Sequence, residues 1–107
     1  MLNLQSEEIM SENIIGPEFW QRVDGVINYA NDQCDGSTPS EVGASTLFAA
    51  ARFNAFLLAK STGSAQNMTA EKERAVDYFV GQFREMMTVN IDDFIANYDK
   101  YMLPDPQ

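Results

Sequence analysis

Arg52 and Asn54 interrupt the string Ala49-Ala50-Ala51-Arg52-Phe53-Asn54-Ala55-Phe56, an otherwise apolar stretch in the middle of the chain. A guanidinium set among alanines and phenylalanines has two chemical uses. It can present a bidentate donor to an anionic ligand or a partner carboxylate, or it can close an internal salt bridge with its aliphatic stem packed. Enclosed polar groups are nearly always satisfied within the fold, so the internal salt bridge is the expected use of Arg52. By the same reasoning Asn54 is expected to hydrogen-bond a helix end or a loop carbonyl. Glu41 shares a helical seam with Ser45 and Arg52. Arg52, Asn54 and Glu41 together form the candidate polar network or ligand site.

The remaining constellations carry less. Asn31-Asp32-Gln33-Cys34-Asp35-Gly36 places oxygen-bearing side chains before a glycine, as a calcium loop does, but its twelfth position is Val42 and Glu41 falls one residue early. Carboxylates pair as Glu71 with Glu73, Glu73 with Asp77, and Asp92 with Asp93. Carboxylate-bridged di-iron bundles need histidines as well, and the sequence has none. These carboxylates therefore read as a solvated acidic face. The lack of histidine also removes Ser-His-Asp and Cys-His catalysis. Cys34 lies beside Asp32 and Asp35, whose charges oppose formation of a thiolate. Neither a P-loop nor a dinucleotide-binding glycine pattern is present. No catalytic residue, cofactor site or metal site is expected.

Composition narrows the class of partner. Sixteen carboxylates against seven lysines and arginines give 107 residues a net charge of −9, which opposes nucleic acid and anionic membrane surfaces alike. A single cysteine permits no intrachain disulfide and suits a reduced compartment. Glu7, Glu8 and Glu12 occupy the place where a secretory leader would be basic and then apolar, and no apolar run is read as approaching the ~20 residues of a membrane span. A cytoplasmic protein with no membrane partner is expected.

The elements that would position these residues are helices. Gly16-Pro17 ends a polar, acidic arm over residues 1–16 that is expected to be flexible. From Pro17 the stripe Phe19, Trp20, Val23, Val26, Ile27 and Ala30 predicts a helix over about 17–32. Thr38, Pro39 and Glu41 spell a capped start to a second helix over 39–62, with Gly63 placed for a left-handed C-terminal cap. That helix is apolar on two faces and is expected to be packed from both sides. Thr69 is placed to cap a third, over 69–88, whose stripe runs through Phe79, Phe83, Met86 and Met87. Asn90 followed by Asp93 suggests a break and a fresh cap, giving a short fourth helix over 91–101. Residues 104–107 form a tail. The result is an all-α antiparallel bundle of three main helices and a short fourth, one domain over 17–103, with the second helix central.

The Phe19-Trp20…Val23…Ile27…Ala30-Asn31 helix, the Ala49–Phe56 string and the Tyr78-Phe79…Phe83…Met86…Asn90…Asp92 segment resemble a small bacterial all-helical family, an uncharacterised domain of unknown function. The resemblance covers about Phe19 to Asn97. It implies the helical architecture and no activity. Function is therefore sought in surfaces. The preferred expectation is a non-enzymatic protein-interaction module that forms a homodimer, its third helices pairing through Phe83, Met86, Met87, Phe94 and Tyr98. The alternative is a small-ligand-binding or regulatory domain with Arg52 as anion anchor beside a pocket of Phe53, Phe56 or Tyr78.

Overall fold

The computed structural model describes residues 15–104, so the expected N-terminal arm up to Ile14 and the end of the tail lie outside the described residues. The fold is all-α, with three main helices and a short fourth: α1 (Pro17–Gln33), α2 (Pro39–Thr62), α3 (Ala65–Ala96) and α4 (Tyr98–Met102). The chain divides into two compact units, Met1–Ala70 and Glu71–Gln107, with the boundary within the residues of α3.

In the first unit, α1 starts with Pro17 in its first turn and Glu18 beside the positive end of the helix dipole. It closes at Cys34, whose N–H reaches the Asn31 carbonyl, while the Asp35 N–H reaches that of Asp32. Phe19, Val23 and Ala30 of its stripe are half-buried, whereas Trp20, Val26 and Ile27 are exposed. One edge of the stripe is covered, where α1 packs on α2. Phe19 and Trp20 meet edge to face, ring centroids 4.8 Å apart.

The start of α2 is held by a reciprocal clasp. Thr38 Oγ1 accepts from the Glu41 N–H at 3.2 Å, and Glu41 Oε1 accepts from the Thr38 N–H at 3.0 Å. Two donors that a helix start leaves unsatisfied are thereby paired. At the other end Gly63 adopts φ 80°, a left-handed conformation free of side-chain cost only in glycine, and its N–H bonds the Ala59 carbonyl at 3.2 Å. Replacing the cap oxygen should be measurable. Thr38→Ala is expected to cost about 1 kcal/mol in urea denaturation at a fixed protein concentration, and an unchanged midpoint would deny the cap its role.

Two features of α2 depart from the sequence reading. Across its 24 residues only Val42 is buried, so neither apolar face is enclosed in the single chain. The helix is also long and apolar enough to cross a membrane by length and composition, contrary to the expectation that no such run exists. Arg52 and Asn54 stand near its middle.

α3 begins at Ala65, one turn before the expected start. Ser64 Oγ accepts from the Asn67 N–H at 3.0 Å, while Thr69 points its hydroxyl back to the Ala65 carbonyl at 2.8 Å. The expected break near Asn90 is absent. Asn90 Nδ2 donates to the Met86 carbonyl at 2.7 Å and Thr88 Oγ1 to the Arg84 carbonyl at 2.8 Å, so both side chains satisfy themselves on their own helix. The helix continues to Ala96 and pauses at Asn97, which has φ −121° and ψ 29°. Within the second unit Ala75 is buried, with Tyr78 and Phe79 half-buried and their rings edge to face at 5.1 Å.

Candidate functional site

A helix presents side chains four apart along one ridge, and two such ridges of α2 border an open groove of about 910 Å³. Ala44, Phe48, Arg52 and Phe56 form one ridge; Ser45, Ala49 and Phe53 form the other. The floor is small at Ala44, Ser45 and Ala49, and the walls are aromatic. Phe48 and Phe53 are 69% and 62% exposed, well short of the enclosure a core aromatic has. Every lining residue comes from the one helix. Such a groove has a floor and rims but no opposing wall.

Arg52 is exposed at the centre of this groove. Among the described residues no carboxylate forms the internal salt bridge expected for it. Among the described residues the one ion pair is Arg74 with Glu71, at 3.6 Å between Nε and Oε1. Asn54, half-buried and two residues on, lies about 160° round the helix from Arg52 and donates to the Ala50 carbonyl at 2.8 Å. It bonds its own helix rather than a helix end or loop. Glu41 lies about 16 Å along the axis from Arg52, at 1.5 Å per residue. Hydrogen bonds from the Thr38 backbone and hydroxyl hold its carboxyl below the usual carboxylate range. The three candidate polar residues therefore stand on one helix without forming a network within it. Of the aromatic residues named with Arg52, Phe53 and Phe56 line the groove, and Tyr78 belongs to the second unit.

A second hollow, about 420 Å³, lies on the other unit and is lined by Met87, Asn90, Ile91, Phe94, Ile95 and Tyr98. It gathers three of the five residues expected at an interface. The other two, Phe83 and Met86, are exposed at 47% and 38% on the same helix. Its far end is fixed by Asp93, whose Oδ1 accepts from Asn97 Nδ2 at 2.8 Å and whose Oδ2 accepts from Tyr101 Oη at 3.1 Å. The hydrogen bond to Asp93, and then its charge, raises the Tyr101 phenol above its ordinary value. The Phe94 and Tyr101 rings meet at a tilt of 56°, centroids 4.9 Å apart, so the short α4 is tied back onto the end of α3. Sequence reasoning assigned Asp93 to a helix start and missed this clasp. Its signal is the spacing of Asp93, Asn97 and Tyr101 at successive fours.

Neither hollow carries a cluster of metal ligands among the described residues. A family model described as a protein of unknown function (DUF3144) matches residues 19–95. The chain belongs to that family. The match spans the groove on α2 and, but for Tyr98, the residues that line the second hollow. No curated protein and no solved structure matches the chain.

Proposed function

We propose that this DUF3144 member is a non-enzymatic protein-interaction module that self-associates as a homodimer, acting in the reduced cytoplasm of a bacterium. The observation that carries the reading is how little the single chain encloses. Among the described residues Val42 and Ala75 are the buried apolar ones, while Phe48, Phe53, Phe56, Phe83, Phe94 and Ile95 are among many that remain exposed. Soluble monomers seldom leave contiguous apolar surface beyond a few hundred Å² uncovered. A protein surface is the fitting cover. Inserting α2 into a bilayer would set Arg52 near mid-membrane, at a cost of roughly 2.5–3.5 kcal/mol before Asn54 is counted.

The one-sided groove around Arg52 also bears on the ligand-binding alternative. A small-molecule site encloses about 70–90% of its ligand. A groove built from a single helix offers one side only, which suits another helix better than a metabolite. The test is light scattering coupled to size exclusion. A mass near twice 12.0 kDa at tens of micromolar is expected, and a chain that stays at 12.0 kDa would defeat the homodimer.

A further inference from the structure

We infer that the groove on α2 is filled by α2 of a second copy running antiparallel, with Glu41 of each chain paired to Arg52 of the other. This rests on the self-association proposed above and specifies its interface. Glu41 and Arg52 are eleven residues apart, which turns an α-helix through three revolutions and about 20° more. Both side chains therefore leave the same face, opposite in charge and separated along the axis. Parallel pairing in register would set Glu41 on Glu41 and Arg52 on Arg52. Antiparallel pairing sets each against its opposite, twice, about a single twofold axis.

The same register matches shape. With position 41 opposite 52, Ser45 lies opposite Phe48 and Ala44 opposite Ala49. The bulky Phe48 of each chain thus meets a small residue of the other, and the small floor lets the two backbones come close at the crossing. Glu41 is prepared for this role. Its Oε1 is committed to Thr38, which orients the carboxylate, and the lowered pKa keeps it charged. Leu58 and Asn54, half-buried, lie on the far side of the helix and are not asked to move.

Charge reversal tests the register through recovery as well as loss. Sedimentation equilibrium of Arg52→Glu alone, and of Glu41→Arg alone, should show the dimer dissociation constant raised at least about tenfold, because each variant opposes like charges twice. An equimolar mixture of the two should associate nearly as tightly as wild type, since both pairs are restored in the mixed dimer. Met87→Glu, which would weaken a dimer paired through α3, separates the two interfaces: an unchanged constant supports the α2 register and a constant raised about tenfold or more overturns it. Glu41→Arg also removes a cap acceptor, so a measurement independent of that variant accompanies it. In a Cys34→Ser background, spin labels at residue 45 should lie close across the dimer and labels at residue 61 about 40 Å apart. Wild-type association by a chain indifferent to both reversals, a mixture no tighter than its components, or close labels at residue 61 would overturn this register and leave the homodimer standing. A wild-type chain that never exceeds 12.0 kDa would end both.

Discussion

Thermal unfolding is expected to shift downward by roughly 5–10 °C when the protein is diluted a hundredfold, as the proposed homodimer requires when folding and association are one process. The estimate follows from mass action, where a hundredfold change in partner concentration is worth about 2.7 kcal/mol, spread over the unfolding entropy of two chains of this length. The physical basis is the uncovered surface. Ordering a residue costs about 1–2 kcal/mol of conformational entropy, which apolar burial must offset at about 25 cal/mol per Å². Among the described residues only Val42 and Ala75 are buried apolar ones, and in the proposed dimer the offset comes from covering Phe48, Phe53 and Phe56. Circular dichroism melts at two concentrations decide the point. Superimposable melts would mean that the single chain is stable by itself.

Local chemistry was legible wherever a residue type has one structural use. Pro17 and Pro39 mark helix starts because a first-turn residue needs no N–H, and both stand there. Thr38 with Glu41, and Gly63, are equally unambiguous, since few arrangements satisfy a helix end. The apolar stripes located the helices, and the family match agrees with the resemblance carried by the Ala49–Phe56 string. Side chains with two uses were misjudged. Thr69 and Asn90 can cap a helix or bond the carbonyl four residues behind them, and sequence alone does not choose between these. Here both bond backward, and the cap passes to Ser64 at one end while the pause passes to Asn97 at the other.

Arg52 is a different case. Its burial was inferred from apolar neighbours, yet apolar neighbours on a helix enclose a side chain only if another element lies across them. Phe48 and Phe56, one turn to either side, are themselves exposed, so the guanidinium stays in solvent, with no ion pair among the described residues. The partner proposed for it was present in the sequence all along, eleven residues away on the same seam. Reading a helix for neighbours at three and four finds contacts within a chain. Finding a contact between chains requires the longer spacing and the twofold.

Ile91→Pro is expected to destabilise the protein by about 3 kcal/mol, and the size of that loss separates two structures of the same segment. Were Asn90 the cap of a fresh helix, residue 91 would hold the first helical position, where proline is favoured and costs nothing. In the continuous α3 residue 91 lies within the helix, so proline removes a backbone hydrogen bond and drives its ring into the carbonyl one turn earlier. Ile91 is 49% exposed and lines the hollow with Phe94 and Tyr98, so side-chain loss must be subtracted. Ile91→Ala supplies that control, and both are read by urea denaturation at one protein concentration. The proline variant should fall well below the alanine variant and lose helical circular dichroism. Equal stabilities would place the helix break at Asn90 after all, and with it the surface that Met87 and Phe94 present, because a break there would turn the two onto different elements.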